Sequence, residues 1–243
     1  MSTILRVDVD RRWSYVPAAS LVLTAWLALA VWSLSAYAEW LDHAQMQEST
    51  APLTVRLAVF TLGWMLMVIA MMLPGMLPLI RGLGDRSNST YRIASFLLAY
   101  LLVWTVFGNL SYMGDGVLHE IVEQLPALEG LIAPGILLLA GIYELTPMKH
   151  FCLSKCRPEV PVFRKLGPDR RTLWAMGLQQ AGFCLGSCWA LMMLMFAIGG
   201  INLFWMLILG AVMTVERLSQ RGESIAQFLG VILIVGSVLL IIW

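Results

Sequence analysis

Seven apolar stretches run along this chain, separated by short polar segments: Ala18–Ala38, Thr54–Ile80, Ile93–Tyr112, Gly130–Leu145, Thr172–Gly199, Ile201–Val215 and Ser224–Trp243. A helix that crosses a bilayer needs about 20 consecutive apolar residues. The pattern therefore predicts an all-α integral membrane protein with about seven transmembrane helices. Six is the alternative count, because the fourth and sixth stretches are short and the second and fifth are long. The chain is expected to form one polytopic domain over residues 1–243, with a cytoplasmic arm at 1–17 and a basic cytoplasmic loop at 149–171. The first stretch starts too late and runs too long for the apolar region of a cleavable signal peptide. Gly116–Leu125 has apolar residues at helical spacing and is expected to lie on the membrane surface.

The charges divide between alternate connections. Arg6, Arg11 and Arg12 precede the first stretch, and Arg81, Arg86 and Arg92 lie between the second and third. Lys149, Lys155, Arg157, Arg164, Lys165, Arg170 and Arg171 lie between the fourth and fifth, and Arg217 and Arg221 between the sixth and seventh. Of the 16 Lys and Arg residues only Arg56 stands apart. The opposite connections carry Glu39, Asp42, Glu48, Asp115, Glu120, Glu123 and Glu129. Basic loops stay in the cytoplasm, so the N-terminus is expected inside and the C-terminus outside. That asymmetry requires an odd number of crossings and favours seven over six. Only 13% of residues are charged, against about 25% in a soluble domain, and mean hydropathy is +0.79. Most of the surface is thus expected to meet the lipid bilayer, in the cytoplasmic membrane of a bacterium. The net charge of +1 carries no nucleic-acid signal, and no stacking platform or basic helix suits one.

The candidate chemistry is sulfur. The string Phe-Cys-Leu-x-x-Cys occurs twice, as Phe151–Cys156 and Phe183–Cys188, and holds all 4 cysteines. On a helix, residues i and i+4 share a face with Cβ atoms roughly 5–6 Å apart. That gap is wide for a disulfide but suits two sulfurs bridged by one soft metal at about 2.3 Å per bond. Cys152 and Cys156 follow Pro147, a residue that ends or kinks a helix. A clip there would use them with His150 and Met148, beside Lys149, Lys155 and Arg157, whose charges favour thiolate. Cys184 and Cys188 fall inside the fifth stretch, Cys184 roughly 18 Å from its start at Thr172. Gly182 and Gly186 give the small-x3-small spacing that admits a neighbouring helix, and Gln179 and Gln180 imply a polar interior. The 15 methionines cluster at Met65, Met67, Met71, Met72 and Met76, at Met192, Met193 and Met195, and at Met206 and Met213. Thiolate with thioether selects Cu(I), with zinc the second choice. The metal candidates are therefore Cys152, Cys156, Cys184, Cys188, His150, Met148, Met71, Met72, Met192, Met195 and Glu144. Taken singly, each Met is more readily explained as packing filler.

Glu144 and Glu216 lie near the cytoplasmic ends of their stretches. Glu144 is placed to hold a cation or His150, and Glu216 to pair with the adjoining Arg217. Asp42, His43 and Met46 form an outer turn, and His119 is a second outer candidate. A solvated loop is the favoured account of all four.

Three parts of the chain resemble a bacterial family of predicted metal-binding integral membrane proteins, long filed as a domain of unknown function and sometimes labelled copper chaperone. They are Met71-Met72-Leu73-Pro74, the run from Tyr143 through Pro147, Cys152 and Cys156 to Pro158, and Gly182 through Cys184, Cys188, Trp189, Met192 and Met195 to Glu216-Arg217. The likeness spans Arg56 to Arg217. The chain departs at Ser187, where a third Cys would fit, and at Arg217, where Lys is usual. The resemblance implies metal and suggests copper, and it supplies no mechanism.

Three functions remain open. The first is a Cu(I)-binding protein that moves copper through the membrane or delivers it to a membrane copper enzyme or another metal-handling protein. The second is an accessory subunit of a larger complex, with cysteines that only pack. The third is a membrane thiol–disulfide oxidoreductase, the enzymatic option, against which the C-x3-C spacing argues. No P-loop or phosphorylatable aspartate motif is present, so transport is expected to run on gradients or ligand exchange. A homo-oligomer sharing one metal through Cys152 and Cys156 fits the same residues.

Overall fold

The computed structural model describes residues 16–35, 37–41, 46, 49–84, 89–125, 129–157, 169–198 and 202–242. Residues 1–15 of the arm, Asp42, His43 and 158–168 of the basic loop lie outside them. The described residues are helical and contain no strand. The helices are α1 Val16–Ser33, α2 Leu53–Met72, α3 Leu77–Gly84, α4 Ser89–Gln124, α5 Glu129–Glu144, α6 Pro147–Cys156, α7 Arg170–Ile198, α8 Leu203–Leu218 and α9 Gly222–Ile242.

Each of the seven apolar stretches forms a helix, and five (α1, α2, α4, α7 and α9) are long and apolar enough to cross a membrane. A sixth crossing arises if α5 and α6 act together as one bent span. The sixth stretch gives α8, which has 16 residues and is shorter than a full crossing. These helices are compatible with a multi-pass membrane protein.

Two breaks shape the bundle. The second apolar stretch is not one helix. The ring of Pro74 clashes with the preceding turn, so α2 stops at Met72 and a 3₁₀ turn, Pro74–Met76, leads into α3. The Leu73 carbonyl accepts from the Met76 N–H at 2.8 Å within that turn. The second break follows Glu144, where α5 and α6 meet at 67°. Thr146 caps α6, its Oγ1 accepting from the Lys149 N–H at 3.3 Å, and Pro147 occupies the first helical turn. A proline there costs no hydrogen bond, because that N–H would have no partner anyway. The first eight residues of the expected basic loop, 149–156, are therefore helix, with Cys152 and Cys156 buried.

The third stretch overruns its expected end. Met113–Gln124 continues α4 without interruption to 36 residues, so Gly116–Gln124 is the tail of that helix and not a separate one. Helix α7 is the spine of the bundle, packing on α4, α5, α6 and α8. Of its most apolar stretch 56% is buried, against 17% for α1 and for α9, which leaves those two at the periphery. Glycines set two close crossings. Gly177 of α7 rests on the Phe96 carbonyl of α4, and Gly141 of α5 on the Gly230 carbonyl of α9. Ser237 donates to the Pro134 carbonyl at 2.8 Å and ties α9 to α5 again.

Candidate metal centre

Cys184 and Cys188 project from one face of α7 into the bundle and are 0% and 4% exposed. Cys184 Sγ lies 3.0 Å from the hydroxyl of Tyr100 on α4. Cys188 Sγ donates back to the Cys184 carbonyl at 2.8 Å, and Ser187 Oγ reaches the same oxygen at 2.8 Å. The Cys188 sulfur also lies 3.7 Å from Met72 Sδ. Met72 is the last residue of α2, so the Pro74 break delivers this thioether to the thiols.

The first pair reaches the same place from α6. Cys156 is fully buried, and its Sγ accepts from Arg217, which also lines the cavity beside Cys184 and Cys188. Gln180 donates to the Cys156 carbonyl at 2.8 Å and lies 3.6 Å from its sulfur. Cys152 sits over Gly186, where a Cβ would stand 2.6 Å from its Sγ. Gly186 thus gives room to a thiol, while Gly182 faces nothing within 4 Å and takes no part in the expected close approach. All four cysteines are free.

A cavity of about 10 Å³ opens among Met71, Met72, Cys184, Cys188, Met213 and Arg217. That is space for one water-sized sphere, or for a single ion among sulfurs. Among the described residues no three His, Cys, Asp or Glu side chains converge as a ready chelate. The soft donors offered together are two thiols and a thioether, with the Cys156 thiol adjoining.

Two charge clusters flank the sulfurs. Lys149 is fully buried, its Nζ 2.5 Å from Glu144 and 2.9 Å from Glu216. Glu216 therefore pairs with Lys149 across the bundle and not with its neighbour Arg217. Adjacent helical residues point about 100° apart, so Arg217 turns toward the thiols instead. Its guanidinium donates to Cys156 Sγ and, at 3.4 Å, to the Met72 carbonyl. Gly75, in the 3₁₀ turn, leaves the lane it runs through, since a Cβ there would stand 2.9 Å from Arg217 Cδ.

Cys184, Cys188 and Met72 are thus brought together, with Met71 lining the cavity, Cys156 linked to it through Arg217 and Cys152 resting on Gly186. Other candidates stand elsewhere. Met148 is 61% exposed. His150 Nε2 faces the Glu144 carbonyl at 3.3 Å. Met192 and Met195 are buried but do not line the cavity. Glu144 holds the Lys149 ammonium. Tyr100 escaped the sequence reading because a tyrosine in an apolar helix gives no sign of what it faces.

Residues 61–240 match the family PpoB2, described as a copper chaperone. No curated protein and no solved structure matches the chain.

Proposed function

We propose a function on one premise: the chain belongs to the copper-chaperone family PpoB2. It is a membrane-embedded Cu(I) carrier. Cys184 and Cys188 bind the ion with the Met72 thioether, a soft ligand set suited to Cu(I). Cys156 takes it by ligand exchange and Cys152 follows. One observation carries this reading. The two C-x3-C pairs, on separate helices, meet where Cys152 Sγ packs on Gly186, between Cys184 and Cys188, and where Arg217 of the Cys184–Cys188 cavity donates to Cys156 Sγ. Packing alone requires no such convergence of thiols with a thioether. The protein hands copper on by exchange to a recipient of higher affinity, with no catalytic turnover of its own. A copper enzyme in the same membrane is the recipient we favour. The N-terminus is cytoplasmic and the C-terminus outside, as the basic segments favour.

Protein purified without oxygen should hold about one copper per chain by mass spectrometry. Cys184→Ser with Cys188→Ser should lose it while remaining folded and monodisperse in detergent. Cys152→Ser with Cys156→Ser should retain copper but release it to an added chelator about 10–100-fold more slowly, the range typical of changes around a metal's ligands. Unchanged copper content in the first variant would sink the site.

A second reading has its own support. Thiols one helical turn apart fit a disulfide poorly, but Cys156 and Cys184 belong to different helices. Electron transfer would then use a Cys156–Cys184 disulfide. Mapping the bond in protein poised across a series of glutathione potentials separates the two. Four reduced thiols throughout favour the carrier.

A further inference from the structure

Tyr100 and Cys184 are both fully buried, with 3.0 Å between the phenol oxygen and Sγ. Among the described residues that sulfur is the hydroxyl's one hydrogen-bond partner. The crossing of α4 and α7 holds the pair together. A Cβ at Gly177 would stand 2.7 Å from that of Ala99, the residue before Tyr100, and the Tyr100 ring stacks with Phe96 at 6.4 Å. Tyr100 does not line the cavity, so it touches the ligand and not the ion. Cys188 is tied differently, since its thiol donates to the Cys184 carbonyl at 2.8 Å. That bond needs the thiol proton, and a coordinated sulfur has none. Loading therefore acts on the two sulfurs in opposite ways. Cys188 loses its bond, while the carbonyl keeps Ser187 Oγ at 2.8 Å. Cys184 keeps its bond, because the phenol supplies the hydrogen, and the charged acceptor strengthens it.

We infer that Tyr100 is a positioning residue that makes Cys184 the fixed ligand, so that Cys188 is the sulfur displaced when copper is handed on. The inference rests on the carrier reading above. Loading one ion replaces two S–H bonds by two metal–sulfur bonds, and both protons pass to solvent. The exchange balances in the same way. An incoming thiol gives up its proton and forms the new metal–sulfur bond. Cys188 leaves the metal, takes a proton and recovers its bond to the Cys184 carbonyl. Departure of Cys184 would recover nothing of that kind. It would instead turn the phenol's charged acceptor into a neutral one, which holds a hydrogen bond less strongly. Loss of the Cys188 bond is therefore the easier first step.

The test uses Ag(I), a redox-inert stand-in for Cu(I), bound to the protein in detergent in competition with glutathione. Tyr100→Phe keeps the ring and removes only the hydroxyl, and it should weaken Ag(I) binding about 10–100-fold. In a Cys188→Ser background the same change should weaken it by a similar factor. In a Cys184→Ser background it should have no effect beyond about twofold, the scatter of independent sites. An equal loss in both backgrounds would show an effect through packing and overturn the inference, as would no loss in the wild-type background. A second measurement needs no tyrosine variant to fold. In Ag(I)-loaded wild type treated with glutathione and N-ethylmaleimide, mass spectrometry should find Cys188 modified about tenfold or more ahead of Cys184, relative to the metal-free protein. Equal modification overturns the inference. Ag(I) binding that survives Cys184→Ser with Cys188→Ser overturns the carrier site and this inference with it. Binding lost in that double variant keeps the site and leaves the two measurements to decide on Tyr100 alone.

Discussion

Lys149 lies between two carboxylates with no exposed surface, and Glu144 and Glu216 are 0% and 2% exposed. Removing one member of a buried ion cluster leaves uncompensated charge and costs about 3–5 kcal/mol. Lys149→Met should therefore lower the thermal midpoint in detergent sharply. Adding Glu144→Gln and Glu216→Gln to it should recover most of the loss, because neutral groups of similar shape need no counter-ion. A smaller change separates architecture from chemistry. In Gly186→Ala the new methyl meets the sulfur of Cys152, the movable end of a side chain. The fold should survive with its midpoint nearly unchanged, while Cys152 should react faster with a membrane-permeant maleimide. Equal labelling rates in variant and wild type would show that Cys152 does not rest on that glycine. The sequence displayed the sulfurs themselves, since a duplicated hexamer needs no coordinates to be noticed. It did not display their electrostatic partners. Lys149 reads as one more cation of a basic segment, because its second carboxylate lies 67 residues away. Glu216 and Arg217 read as a pair because they adjoin, and only the helix rotation sends one to Lys149 and the other to Cys156.

Helices were the most legible level, and their ends the least. Every apolar stretch produced a helix, because a hydrocarbon solvent leaves the backbone no other economical way to satisfy its hydrogen bonds. Interruptions were legible where proline caused them, at Pro74 and Pro147. The continuation of α4 past Tyr112 was not, since Gly114 and Gly116 look like breakers. Neither glycine stops it, and at about 1.5 Å per residue its 36 residues exceed the roughly 40–45 Å of a whole bilayer. The crossing of α5 and α9 gives an element-scale prediction. A Cβ at Gly230 would stand 2.8 Å from the Gly141 carbonyl and 2.9 Å from Glu144 Cβ. Backbone cannot yield as a side-chain tip does, so Gly230→Leu should cost about 1–3 kcal/mol through forced separation of the helices. A midpoint equal to wild type would show that the crossing has slack. By contrast, Gly182→Ala, facing nothing within 4 Å, should be neutral.

At the scale of the molecule, α7 carries the second thiol pair through the middle of the bundle while α1 and α9 face outward. The proposed orientation predicts that alkaline phosphatase fused after Trp243 is active and that the same enzyme fused in the segment 158–168 is not. Activity in the reverse pattern would invert the route of the copper, and activity in both would discard the odd number of crossings. The buried Lys149 cluster also bears on how the chain is made. Helix α6 carries this ammonium, and a lone cation is expensive in a lipid interior. Glu144 emerges from the ribosome just ahead of Lys149, but Glu216 follows 67 residues later. At about 5–20 residues per second that is a wait of roughly 3–13 s. Throughout it the ammonium has one of its two carboxylate partners, and the short helix lacks the ion pair that ties it to α8. Its seating, and with it the meeting of the two cysteine pairs, becomes a late event of biosynthesis, completed only after α8 has arrived with the second carboxylate.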